Sequence, residues 1–229
     1  MTDTLALFYN KRQLTEANVE PPRTWDELIR IAPRLGGERA LFLNNDDFYA
    51  LPFVNTAGGD LVDSETKEIT VNSPETVRGL ATAKRLLDTG SARTAQDPSN
   101  SYSTMKAAFS SGEVAMMIDG PWVIPEILAS DEFSDPSNLG IAPIPGPERT
   151  APPGGHDYVL RQGSDSTAAS TKFVQCMSST ENQAEVAKRI GLLPTREDAY
   201  DDPAVADQPI VSAFLPLVRN PHKRACFPV

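Results

Sequence analysis

The tightest constraint on what this chain can fold into is an alternation. Short apolar runs at residues 5–9 (LALFY), 40–43 (ALFL), 114–118 (VAMMI) and 139–144 (LGIAPI) are separated by longer segments with helical spacing. Runs this short and this continuous fit strands buried on both faces better than helices, which need more residues to bury a stripe. The intervening segments open with helix-start chemistry. Thr24 with Glu27 has the spacing of a capping box, and Asp26 and Glu27 suit the positive end of a helix dipole. Trp25, Leu28, Ile29 and Ala32 then recur at helical spacing. Ser73-Pro74-Glu75 pairs a cap with proline at the first helical position. The face expected to point inward there is Val77, Leu80, Ala81, Lys84 and Leu87, with Gly90 closing the helix. Strands alternating with helices across short loops place the chain in the α/β class. The mixed helix lengths, and a hairpin expected over 60–71, argue against a barrel.

The rest of the pattern is read the same way. A short helix around Pro52 ends at Gly58-Gly59, and 91–101 is a polar loop. A helix over 102–110 turns Met105, Ala108 and Phe109 inward. Asp119-Gly120-Pro121 leads at once into a helix over 122–129. A Pro/Gly-rich loop covers 145–156, and 158–160 is expected to be a strand crossing to a second lobe. Beyond it Ser170 caps a helix over 171–177, and Thr180 with Gln183 forms a second capping box ahead of Ala184, Val186, Ala187 and Ile190. Short helices follow at 198–200 and 205–218, then an irregular tail over 221–229.

Charge and residue usage remove several function classes. The formal net charge of −10 argues against nucleic acid and against an anionic membrane surface as partners, because both demand a basic face. No apolar run approaches the roughly 18 residues of a membrane span, and MTDTLALFYNKR lacks the basic start and apolar core of a signal peptide. Two histidines and two cysteines offer no zinc spacing, and neither a nucleophile elbow, a P-loop nor a G-x-G-x-x-G occurs. No cofactor and no metal are therefore expected. Cys176 and Cys226 read as unpaired thiols. Carboxylates are plentiful, but nothing selects a glycosidase pair among them.

Several pieces, in order, carry a family resemblance: ALFYNKRQL with PPRTWDEL, ALPFVNTAGGDL, AAFSSGEVAMMIDGPWV, LGIAPIPGP, PPGGHDYVL, and TKFVQCMSSTENQ with GLLPTRED. The chain resembles the extracellular solute-binding proteins of ABC sugar importers, specifically the maltose/maltodextrin-binding group, over nearly its whole length. The resemblance implies an α/β, periplasmic-binding-protein-like (type II) fold with one nearly complete lobe and a partial second lobe. It divides the chain into 1–155, a sugar-binding lobe with LALFY as hinge strand, and 156–220, the helical part of the other lobe. It further implies truncation at both ends, no catalysis, an oligosaccharide ligand, the importer's membrane subunits as partners, and a location outside the cytoplasmic membrane. Helices over 170–218 would lack the sheet they pack on, so their apolar faces predict self-association.

Sugar recognition needs flat aromatic faces and paired donors and acceptors for hydroxyls. By resemblance Trp122 matches a stacking tryptophan; the alternative is a core anchor for its helix. Asp119 either accepts from hydroxyls at the mouth of the turn or caps the helix at Pro121. Phe48 matches a stacking aromatic, with Tyr49 beside it, or else packs a short helix. Asp46 and Asp47 are ligands or simply solvated. Asp3 aligns with a hydroxyl-binding acid. Gly155 and His156 lie at the second crossing. A non-binding interaction module and a glycoside hydrolase remain as alternative functions.

Overall fold

The computed structural model describes residues 1–147, 151 and 153–219, with the backbone alone at Pro209 and Ile210. The Cys226 thiol and the tail expected over 221–229 lie outside the described residues.

The first strands are β1 (Thr2–Thr4) and β2 (Ala6–Asn10), followed by α1 (Lys11–Glu16), which Asn10 caps, and α2 (Trp25–Ile31). Strand β3 (Phe42–Leu43) leads to α3 (Leu51–Thr56) and α4 (Pro74–Asp88). Strand β4 (Arg93–Thr94) leads to α5 (Ser101–Ser110), and β5 (Met116–Asp119) to α6 (Ile124–Leu128). Then come β6 (Leu139–Ala142) and β7 (Pro153–Gly155), and the helices α7 (Thr167–Met177), α8 (Thr180–Ile190), α9 (Pro203–Ala206) and α10 (Pro209–Arg219).

Five strands form one mixed sheet in the order β4-β3-β5-β2-β6. β3 runs parallel to β4 and β5, whereas β2 is antiparallel to β5 and β6. The period of two along each strand divides the core. Leu5, Leu7, Met116 and Ile118 face one layer with Trp25, Leu28, Phe53 and Leu86. Ala6, Phe8 and Met117 face the other, with Phe109, Phe133, Val205 and Phe214. Both layers are apolar, which is why LALF and MMI read as uninterrupted runs.

LALFY is thus an interior strand, not the crossing that was expected of it. A separate two-stranded pairing, the β1–β7 crossing, sets Thr2 opposite Gly155 and Asp3 opposite Gly154. The expected crossing at 158–160 forms no strand, and Tyr158, Val159 and Leu160 are exposed. Local pattern misplaced this element because Pro-Gly-Gly carries no strand signal. It pairs only because β1 lies beside it.

Other local expectations shift by physical detail. In α4 the buried positions are Thr76, Gly79 and Leu86, while Val77, Leu80 and Leu87 are exposed. Gly79 is the reason: a Cβ there would stand 2.5 Å from the Phe53 carbonyl oxygen, so the helix lies with its bare side directly on α3. Thr24 does accept the Glu27 amide at 3.1 Å, but the Glu27 carboxylate reaches back past the cap to the Arg23 amide at 2.7 Å. α8 is capped by Ser179, not Thr180, and Gln183 is buried, where its side-chain oxygen accepts from the Thr195 amide at 3.1 Å. α7 begins before Ser170, which therefore sits inside the helix.

The helices after α7 are not left bare. Ala184, Ala187, Val205, Val211 and Phe214 are buried in the same cluster as Phe8, and the Phe214 ring lies 6.0 Å from the Phe8 ring. α7 is different. It has no buried residue, and Phe173 stands beside Tyr158 on the surface.

Candidate functional site

Three parallel strands end on one edge of the sheet, and the loops after them meet there. This is where α/β sheets place ligands, because the strand ends leave a crevice between successive loops. After β3 comes a short 3-10 turn, Asp47–Ala50, carrying Phe48 and Tyr49. After β4 comes α5, with Tyr102 in its first turn. After β5 comes Gly120 and the turn Pro121–Val123, carrying Trp122.

Gly120 is required for that last turn. A Cβ there would collide with the six-membered ring of Trp122, so only glycine lets the indole fold back over the strand end. The indole is half-buried, packed on both core clusters, and its Nε1 donates to the Tyr102 hydroxyl at 2.9 Å. Phe48 and Tyr49 meet edge to face, with ring centroids 5.7 Å apart.

Trp122 and Phe48 line an open hollow of about 680 Å³ whose opposite side is the crossing. That side presents Asp3 from β1 and the run Pro153 to Asp157. Gly154 is again needed, since a Cβ would overlap the Asp3 carboxylate, and Gly155 holds a φ of +134° against the Met1 carbonyl. The His156 amide donates to the same Met1 oxygen at 3.1 Å. Of the residues singled out by sequence, the fold thus brings Trp122, Phe48, Asp3, Gly155 and His156 to one hollow. A larger hollow of about 820 Å³ beside α2 is lined by prolines, arginines and glutamates and has no aromatic face.

Asp119 stands behind the wall. Its side chain is fully buried; Oδ1 accepts from the Gly120 amide at 2.8 Å and from the Tyr49 hydroxyl at 3.1 Å, and Oδ2 has no hydrogen-bond partner. It neither reaches the hollow nor caps the helix at Pro121. Burial pushes its pKa up to about 7. Burial and the neighbouring carboxylate also raise Tyr49, and the same causes push Tyr102 up to about 12. Asp46 and Asp47 are exposed, and both carboxylates accept from the Phe48 amide, which fixes the turn that presents the ring. Sequence reasoning missed Tyr102. Its signal was the strand before it, but β4 is two residues long and sits in a polar stretch.

The hollow thus offers aromatic faces beside a carboxylate and backbone polar groups. Among the described residues, no group of three or more His, Cys, Asp or Glu could hold a metal ion, and no helix is long and apolar enough to cross a membrane. The family described as bacterial extracellular solute-binding protein matches residues 1–213. The chain belongs to this family. Among related solute-binding proteins, the maltotriose-binding protein of Pyrococcus abyssi is 26% identical over 235 residues, covering 95% of this chain and 48% of its own length. A maltooligosaccharide ABC transporter solute-binding lipoprotein of Streptococcus pneumoniae is 24% identical, covering 95% and 53%. The GacH receptor of Streptomyces glaucescens, whose structures include a complex with acarbose, superposes with a TM-score of 0.89 at 40% identity, covering 97% of this chain and 58% of the receptor. The chain thus spans about half the length of the curated relatives it matches. The fold is the type II periplasmic-binding-protein architecture, of which the chain covers 58% of one solved relative and 60% of another.

Proposed function

We propose that this solute-binding chain is a non-catalytic carbohydrate receptor component of an ABC importer, taking oligosaccharides of the maltodextrin type outside the cytoplasmic membrane. The observation that carries the reading is the half-buried Trp122 indole beside Phe48 in a hollow that Asp3 closes from the crossing strands. An indole face and a phenyl face receive the apolar sides of successive sugar rings, and a carboxylate at the rim pairs with hydroxyls. Gly154 and Gly155 let a ring approach the crossing backbone. His156 and Asp157 add polar groups to that rim. The names of the maltotriose-binding and maltooligosaccharide-binding relatives support the same ligand class, while other relatives are named for sn-glycerol-3-phosphate. The importer's membrane subunits are the partners on this reading, and the uncovered surface of α7 is where copies of the chain associate.

Calorimetric titration with maltotriose and longer maltodextrins tests it. Saturable binding is expected, and Trp122→Ala weakens it by about tenfold or more, the worth of a stacked ring. Folded protein that gives no heat with any oligosaccharide would make the chain an interaction module instead. Release of new reducing ends during the titration would make it a glycoside hydrolase.

A further inference from the structure

The Trp122 indole stands half-buried in the wall of the hollow, and the torsion that turns such a ring is broad unless something else fixes it. Two contacts fix it here. At one edge the benzo carbons Cε3, Cζ3 and Cη2 occupy the place a Cβ on residue 120 would take, which Gly120 leaves open. At the opposite edge Nε1 donates to the Tyr102 hydroxyl at 2.9 Å. An indole has one polar hydrogen and no acceptor, so this bond uses the whole of its polar capacity.

Tyr102 is held in its turn. The Lys106 ammonium stands over its ring, 4.8 Å from the centroid, and the Tyr49 ring packs beside it with centroids 6.0 Å apart. Lys106 lies one helical turn further along α5 and pairs with Glu126 of α6 at 2.5 Å. Glu126 is four residues beyond Trp122, as Lys106 is beyond Tyr102, and residues four apart share a helix face. Two pairs, Tyr102 with Trp122 and Lys106 with Glu126, therefore join α5 to the segment 121–128 one turn apart. Of these four side chains Trp122 lines the hollow, and the other three stand outside its lining.

We infer that Tyr102 is a positioning residue: its hydroxyl holds the indole by the N–H edge, so that Trp122 meets a ligand with its face and gives it no hydrogen bond. The hold on the indole stands on these contacts; a sugar as the ligand rests on the function proposed above. Hydroxyl selectivity then comes from the crossing side of the hollow, where Asp3, His156 and Asp157 stand, while the indole selects for a flat apolar face. A ring held in advance also loses less freedom when ligand arrives, which raises affinity without a new contact.

The chain has two tryptophans, and solvent exchange of their indole protons is followed by nuclear magnetic resonance in ligand-free protein. Trp122→Phe assigns the two signals. Tyr102→Phe keeps the aromatic ring and removes the acceptor. The Trp122 proton is then expected to exchange about fivefold faster, the worth of one hydrogen bond. Trp25, whose Nε1 donates to Thr56, keeps its rate and reports an intact fold. Maltotriose affinity in the same variant is expected to fall about fivefold, the cost of ordering one side chain on binding. In the Trp122→Phe background, which keeps a ring and has no N–H to hold, Tyr102→Phe changes affinity by less than about twofold. Equal losses in the two backgrounds would make Tyr102 merely structural and overturn the inference. An unchanged Trp122 exchange rate overturns it as well, as does an unchanged affinity in a protein that binds maltotriose. Tighter binding by Tyr102→Phe would mean that the released N–H serves the sugar, and sinks it too. Faster exchange in a protein that binds no sugar upholds the hold on Trp122 and removes the carbohydrate reading instead.

Discussion

Strand β5 buries all four of its residues between two helical layers, whereas helix α7 buries none of its eleven. The sheet-centred part of the molecule, residues 5–147, covers both faces of its sheet, while Ile69, Val71, Val77 and Leu80 stay exposed at its periphery. The helical run after the crossing is mixed: α8, α9 and α10 close over the Phe8 face of the sheet, and α7 stays outside. The difference separates two uses of apolar residues. In β5 they define the fold. In α7 and at Tyr158, Val159 and Leu160 they remain available to another surface. The candidate site draws its aromatic wall from the first part and its rim from the crossing that joins the two.

The comparison breaks most readily at Phe8. Phe8→Ala removes a fully buried ring that touches Phe214, and is expected to cost about 3–5 kcal/mol in denaturant unfolding. A double-mutant cycle with Phe214→Ala should show coupling of about 0.5–1.5 kcal/mol. Strict additivity would mean that the later helices do not share the sheet's core.

Next in size is the pH response, which has opposite signs in the two parts. Asp119 is raised by burial from 3.8 to about 7, so the folded protein holds its proton more tightly than the unfolded chain. Its contribution is fully present below about pH 4 and is lost as pH rises through 7, by an amount on the order of a few kcal/mol. Asp198, in the helical run, is held down to about 2 by its hydrogen bond to Arg196; its contribution is present above pH 4 and is lost as pH falls through 2. Thermal unfolding across this range should therefore show Asp119→Asn gaining most over the parent at and above neutral pH, and nothing near pH 4. An Asp119→Asn protein whose stability tracks the parent at every pH would remove the buried charge from the account.

The smallest effect is predicted on α7. Phe173→Ser should change folding stability by less than about 0.5 kcal/mol, because the ring is 55% exposed. It should nevertheless lower the apparent mass in sedimentation at high concentration, if this face joins copies of the chain. A parent protein that sediments as a monomer at all concentrations removes self-association from the proposed function.

Much of this was legible in the sequence. LALFY and VAMMI were readable as strands because burial on both faces leaves no polar position to confuse the pattern. The inward face of α5 was readable because Met105, Ala108 and Phe109 are apolar and fall at helical spacing. α4 misled because its contact surface is made by the absence of a side chain at Gly79, and hydrophobic spacing does not record an absence. The crossing misled because Pro153 to Gly155 pairs by backbone alone. Trp122 was visible as an aromatic at a strand-to-helix turn and Phe48 through the family resemblance, while Tyr102 lay behind a strand too short to register.

The order and kind of the main elements came from local pattern, since a strand's burial and a helix's cap are decided by neighbours a few residues away. Which rings meet did not. Residues 49, 102, 119 and 122 come together because the strand order β4-β3-β5-β2-β6 puts three parallel ends side by side, and that order is a property of the whole sheet. The inward turn of Asp119 belongs to the same category: its carboxylate points where Tyr49 offers a proton, and only the assembled edge puts Tyr49 there.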